Sequence, residues 1–233
     1  MCPCHGALTP STGLYAHDRK ENTMSTVSVN ARLFRAVAAF VSSDEARYYL
    51  QGVHIEPHAK GGVIMVATDG QKLMCVWDKD GAMKGENPIV KLDKAALNAC
   101  KAVRGEQGDR RILIEGKTAT IQDHEHNPVA TAYNVLIDGT YPSWRRVMPN
   151  VQNPAPSAYD AKYLSMFGDA CGVLRDDKCS QISLYGDADG AAIVRFSNID
   201  FAFGLLMPLR FNGGTGLPAF MNDPEVEKPA QAA

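Results

Sequence analysis

One supersecondary pattern, a strand, a helix and then three strands, recurs along the 233 residues and limits the fold more than any other feature. In the first copy Thr26–Val29 alternates as a strand, and Asn30 is placed to cap a helix expected over Ala31–Val41. Strand-like runs follow at Gly52–Glu56, Val63–Thr68 and Lys72–Trp77. The second copy has a strand at Ile89–Leu92 and a helix capped by Asp93 over Lys94–Val103. Its three runs are Arg111–Glu115, Thr118–Gln122 and Val129–Leu136. In the third, Asp160 caps a helix over Ala161–Leu174, followed by Gln181–Tyr185, Ala191–Phe196 and Phe201–Leu209. The pairs Asp69-Gly70, Asp138-Gly139, Gly61-Gly62 and Asp189-Gly190 are expected to supply the positive φ that tight turns need. The three-strand runs therefore read as antiparallel meanders, each with one helix on its inner face, in an α+β fold.

Charge refines this picture. The net charge of -2 and pI near 6.3 do not advertise a nucleic-acid partner. Divided along the chain, residues 1–23 are neutral and residues 212–233 carry the whole deficit, which leaves the body neutral. Within that body, two helices carry one-signed stripes. Arg32 and Arg35 lie opposite an apolar face of Leu33, Phe34, Val37, Phe40 and Val41. Lys94, Asn98 and Lys101 lie opposite Leu97, Cys100 and Val103. Neither helix has an acidic residue after its cap, whereas a merely solvated face mixes signs. The third helix is weaker, with Lys162, Ser165 and Asp169 on its polar side.

Other classes find little support. Ala36–Val41 is the longest apolar run of the N-terminal half and cannot span a bilayer, so no membrane partner is expected. The six cysteines are scattered, as in a protein of the reducing cytoplasm. Residues 1–23 read as a disordered extension, with Met24 as an alternative start, and residues 212–233 as a disordered acidic tail rich in Gly and Pro. Cys2, Cys4 and His5 do not complete a zinc-ligand set. Asp123, His124, Glu125 and His126 fall in a strand-to-strand turn, where charged residues are routine. There is no Walker A loop and no G-x-S-x-G, so no catalytic residue, cofactor or metal is assigned.

Four motifs carry a family resemblance. Arg47-Tyr48-Tyr49-Leu50-Gln51-Gly52 and Ala67-Thr68-Asp69-Gly70-Gln71-Lys72-Leu73 resemble the middle domain of the bacterial DNA polymerase III beta subunit, the sliding clamp. Tyr141-Pro142-Ser143-Trp144-Arg145-Arg146-Val147-Met148-Pro149 is similar to that family's F/Y-P-x-Y/F-R-R-V-L/I-P signature. Leu205-Leu206-Met207-Pro208-Leu209-Arg210 resembles its terminal V-V-M-P-M-R. Gln71 and Lys72 stand where the family commonly has His and Arg, which removes a planar guanidinium. The resemblance implies a DNA-clamp fold of three modules. Residues 24–150 match the middle domain, with modules at 24–79 and 88–149, and residues 151–211 match half of the last domain.

It also implies a non-catalytic role. A clamp encircles duplex DNA without reading its sequence and tethers a polymerase, an effect of topology and avidity. The candidate DNA contacts are Arg32, Arg35, Tyr48, Tyr49, Lys94 and Lys101, with strand packing in a hairpin as the alternative for the tyrosines. A hydrophobic pocket for short peptides of the polymerase and clamp loader would be walled by Leu50, Thr68, Gly70, Lys72, Leu73, Pro142, Arg146, Val147, Leu205, Met207, Pro208, Leu209 and Arg210. An edge strand is the alternative for Met207 and Pro208. Gly216-Leu217-Pro218-Ala219-Phe220 faintly resembles such a peptide. A homo-oligomer is expected, and the competing function is a non-encircling adaptor or decoy that keeps the pocket and does not load on DNA.

Overall fold

The structure, a computed structural model, describes residues 25–101, 103, 107–148, 158–175, 181–186 and 190–210. The expectations for residues 1–23, Met24, Asp189 and residues 212–233, including the Cys2, Cys4 and His5 group and the Gly216–Phe220 segment, lie outside these residues.

Local chemistry starts each unit as its sequence implies. Strand β1, Thr26–Asn30, buries Val27 and Val29 on one face. Asn30 then caps α1, Ala31–Ala38, its Oδ1 accepting from the N–H groups of Arg32 (3.0 Å) and Leu33 (3.1 Å). The meander β2 (Val53–Pro57), β3 (Val63–Thr68) and β4 (Lys72–Asp78) follows. A short strand with no periodic signal, β5 (Ala82–Lys84), precedes β6 (Ile89–Val90). Helix α2, Lys94–Ala99, is capped by Asp93 and is shorter than expected. The Arg110 guanidinium takes the carbonyl of Ala99 at 2.6 Å and helps close its end. Val103 therefore lies beyond the helix and is exposed rather than facing the core.

The second meander is β7 (Arg111–Glu115), β8 (Thr118–Gln122) and β9 (Pro128–Tyr133). The run expected over Val129–Leu136 breaks at Asn134, which takes φ +54°, and resumes as β10 (Leu136–Ile137). In the third unit α3 spans Ala161–Arg175, with Lys162 N–H bonded to Asp160 Oδ1 at 2.8 Å. It is followed by β11 (Ile182–Tyr185), β12 (Ala192–Phe196) and β13 (Ala202–Leu206). Leu209 is not part of the last strand and makes only an isolated bridge to Ala158.

The units are not self-contained. The opening strand of the first unit, β1, pairs with β5 and β7, in a five-stranded sheet ordered β5-β1-β7-β8-β9. The opening strand of the second, β6, joins the meander of the first. Units one and two thus exchange their first strands, and neither closes its sheet without the other. The third meander is added through β13, which pairs antiparallel with β4 from Ala202–Val76 to Leu206–Lys72. The result is an eight-stranded sheet ordered β10-β6-β2-β3-β4-β13-β12-β11.

Both faces of this sheet are covered at its centre. The inner face packs Val53, Ile55, Val63, Met65, Met74, Val76 and Leu206 into the core with α1 and α3. Helices α1 and α3 pack together, and Phe167 of α3 meets Phe40 in the turn after α1 with ring centroids 4.8 Å apart. Ile64, Val66, Leu73, Cys75 and Leu205 face outward, beneath Trp144 and Tyr141 of the segment that crosses the sheet. Coverage from both sides explains why Val63–Ala67 is continuously apolar rather than alternating.

Candidate functional site: an apolar pocket and a helix-lined groove

The pocket is organised by the turn between β3 and β4. Gly70 sits at φ +91°, as a tight turn requires. The Asp69 carboxylate accepts from the N–H groups of Gln71 (2.9 Å) and Lys72 (3.0 Å), and Thr68 Oγ1 donates to the Lys72 carbonyl at 2.7 Å. Arg47 braces the turn from outside through Asp69 O (3.0 Å) and Asp44 Oδ2 (2.9 Å). Lys72 is buried, its ammonium held by the Asp69 carboxylate and standing 4.7 Å from the Tyr163 ring centroid. Burial alone would push the Asp69 carboxyl up; the hydrogen bonds from Lys72 and Gln71 outweigh it, and the net direction is down. Lys72 thus replaces a fork of donors with a single point charge that is already paired.

The N–H of Met207 bonds to the Gln71 carbonyl at 2.9 Å and fastens the end of β13 to this turn. Between them lies a mainly apolar cavity of about 180 Å³. Nine of the expected wall residues line it: Leu50, Thr68, Gly70, Lys72, Leu73, Pro142, Val147, Leu205 and Met207. Pro208, Leu209 and Arg210 do not, because β13 ends at Leu206 and the chain leaves the wall after Met207; Arg146, in the 3-10 turn Trp144–Val147, does not line it either. Met207 and Pro208 do not form an edge strand either, since β13 lies between β4 and β12. Gln71, Ser143, Trp144 and Ala191 also line the cavity and were missed. Three of these lay inside motifs already visible, whereas Ala191 is brought in only by the pairing of β12 with β13. The volume is below the roughly 300 Å³ at which small-molecule sites begin, and it suits an apolar side chain better than a whole ligand.

The outer segment is pinned beside this cavity. Arg145 Nη2 reaches Glu56 Oε1 on β2 at 2.5 Å, and His54 Nε2 stands 3.6 Å from Glu56 Oε2. Burial pushes the Glu56 carboxyl up, but the neighbouring His54 ring, the hydrogen bond from Arg145 and the Arg145 charge prevail and bring it down to about 2.

On the opposite face, α1, α2 and α3 border a groove of about 480 Å³. Arg35, Lys94, Asn98 and Lys101 line it, with Asp169 from α3. Lys94 and Lys101 are exposed and Arg35 is half-buried. Arg32 is not among the lining residues: it forms a 3.0 Å ion pair with Asp109 and donates to the Leu174 carbonyl at 3.2 Å. Its stripe looked wholly positive because Asp109 lies 77 residues away in sequence.

Tyr48 and Tyr49 occupy a 3-10 segment, Glu45–Leu50, and not a strand hairpin. Their rings meet edge to face at 5.7 Å, and Tyr48 is exposed. Gly139 packs beneath them without positive φ; a Cβ there would stand 3.2 Å from Tyr49 Cβ, so this glycine serves close approach rather than a turn. In the turn after β8, Asp123 Oδ1 accepts from the N–H groups of Glu125 and Asn127, both at 2.9 Å, a structural use of that carboxylate.

With this geometry the chain can be compared with known proteins. No family model matches it. The beta sliding clamp of Haemophilus influenzae is 30% identical over 120 residues, which cover 51% of this chain and 31% of that protein. The Lactococcus lactis clamp is 30% identical over 129 residues, covering 53% and 32%. The matched segment therefore spans about a third of the length of these curated relatives. Among solved structures, the Pseudomonas aeruginosa clamp superposes with a TM-score of 0.56 at 18% identity, covering 80% of this chain and 67% of that one. The Borrelia burgdorferi DNA polymerase III beta subunit gives 0.55 at 12%, covering 79% and 64%. Sequence similarity over half the chain, together with the fold over four-fifths of it, makes this chain similar to the bacterial beta sliding clamps over about a third of those relatives' length.

Proposed function

We propose that the protein is a clamp-like replication accessory factor that captures short peptides of polymerase or clamp-loader partners and holds duplex DNA without reading its sequence. The apolar cavity where β13 meets the β3–β4 turn carries this reading. It is narrow and largely apolar, which suits an anchoring Leu or Phe side chain of an extended peptide. In this reading the role is non-catalytic, and the groove offers cations for phosphates.

Assembly with further copies follows from the third unit. Among the described residues it has no exchange partner of the kind that units one and two find in each other, and β5, β9, β10 and β11 end the two sheets. Light scattering is expected to show an oligomer, and monomer alone at high concentration would refute a ring. Retention on nicked circular DNA, lost when the circle is linearised, tests encirclement.

One observation favours the adaptor reading. Arg32 is paired internally and Asp169 lines the groove, so the cationic face is thinner than its sequence implied. An adaptor would bind peptide and never be retained on the circle. In both readings Met207→Ala should weaken a fluorescent Leu-Phe peptide about fivefold, the order of 1 kcal/mol for trimming one wall side chain. Unchanged affinity would refute the pocket.

A further inference from the structure

We propose that Glu56, on β2 and outside the cavity, is a positioning residue for the peptide pocket: through Arg145 it clips in place the outer segment that supplies one wall. The proposal rests on the pocket reading above. Pro142, Ser143, Trp144 and Val147 all come from this one short segment. Its local structure is weak. The 3-10 turn Trp144–Val147 has no side-chain cap and is held by bonds of 3.2 Å (Arg146 N–H to Ser143 O) and 3.3 Å (Met148 N–H to Arg145 O). A single turn of this kind does not fix its own position, so contacts with the sheet must.

Besides the apolar packing of Trp144 and Tyr141 on the sheet, the charged contacts converge on Glu56. Its side chain is 12% exposed, whereas that of Arg145 is 56% exposed, so the carboxylate is the fixed post and the guanidinium the hook. Arg145 also lies 4.3 Å over the Trp144 ring and thereby couples Glu56 to a wall residue of the cavity. His54 flanks the carboxylate and stacks on Tyr141 at 4.7 Å with the planes 5° apart, which fixes the entry to the segment one residue before Pro142. Tyr141 in turn donates to the Val66 carbonyl at 3.5 Å. Releasing the clip frees the segment to sample positions in which the wall is open, and binding must then include the cost of closing it.

The test uses the whole chain and a fluorescein-labelled hexapeptide ending in Leu-Phe. Glu56→Gln and Arg145→Gln are each expected to weaken binding about tenfold, the scale of a lost charge-assisted hydrogen bond. The double variant should be no weaker than either single variant, because the two side chains act as one unit. Arg145→Lys, which keeps the charge, should stay near wild type, whereas a purely steric role of the guanidinium predicts loss there too. Arg145 is largely exposed, so its variants test the clip even if Glu56→Gln fails to fold. Wild-type binding with unchanged affinity in Arg145→Gln overturns the clip and leaves the pocket standing. Absence of wild-type binding overturns the pocket itself, and the clip with it.

Discussion

Replacing Gly204 by alanine probes how the third unit is seated. A Cβ built on Gly204 would stand 2.1 Å from Phe167 Cε1 and 2.9 Å from Cδ1 and Cζ, where ordinary contact begins at 3.4 Å. The ring would have to retreat by more than an ångström. Phe167 is fully buried on α3, between Phe40 at 4.8 Å and Phe196 at 6.3 Å, so it cannot swing aside cheaply. Overpacking of this kind costs about 1–3 kcal/mol. At about 2–4 °C per kcal/mol for a chain of this size, the melting temperature should fall by roughly 2–12 °C. The sign is diagnostic, because an unhindered Gly→Ala change stabilises by about 0.4–1 kcal/mol through the unfolded chain. Thermal unfolding followed by circular dichroism reads the effect, and adding Phe167→Leu should recover part of it by removing the ring edge. Leu205, the next residue, lines the pocket, so peptide affinity should fall together with stability. A melting temperature that is unchanged or raised would refute the close approach of α3 to β13.

Three further outcomes follow from the charges. Lys94→Ala with Lys101→Ala should make the dependence of DNA affinity on salt shallower by about 2 logarithmic units per decade, at roughly 0.9 for each phosphate no longer neutralised; an unchanged slope would remove both from the interface. Asp109→Asn should free Arg32 and tighten DNA binding at low salt, while costing under about 1 kcal/mol of stability as a part-exposed pair; weaker or equal binding would mean that Arg32 does not face DNA. Glu56 has a folded pKa of about 2, below its ordinary 4.5, so its contribution to stability is complete above pH 4.5 and is lost as pH falls toward 2. Acid titration of wild type against Glu56→Gln should therefore converge across that window, and parallel curves would contradict the ion pair.

The residues at the start of each unit were legible because their chemistry is local. Asn30, Asp93 and Asp160 each bond to an N–H two or three residues away, a distance that sequence spacing reports directly. The apolar face of α1 and the strands Arg111–Glu115 and Thr118–Gln122 follow from periodicity, whereas Val63–Thr68 was legible as a short continuous apolar run. Glycine was less transparent. Asp69-Gly70 makes the turn expected of it, while Gly139 of the similar pair Asp138-Gly139 is a contact surface for Tyr49. The pocket was legible where motif residues remain contiguous in space and illegible where chain direction decides, as at Pro208, Leu209 and Arg210.

By itself, then, the sequence determined three capped helices, their meanders and a clamp-like arrangement of motifs, since each depends on contacts spanning a few residues. Tertiary structure alone decided that β1 and β6 trade places, that β13 pairs with β4, that Arg32 is paired with Asp109 and that Glu56 holds Arg145. The physical reason is the same in each case. A strand edge accepts any strand, and a cation any carboxylate, so hydrogen-bonding capacity does not name its partner. Packing does, because only one arrangement covers both faces of the eight-stranded sheet and seats Phe167 over Gly204.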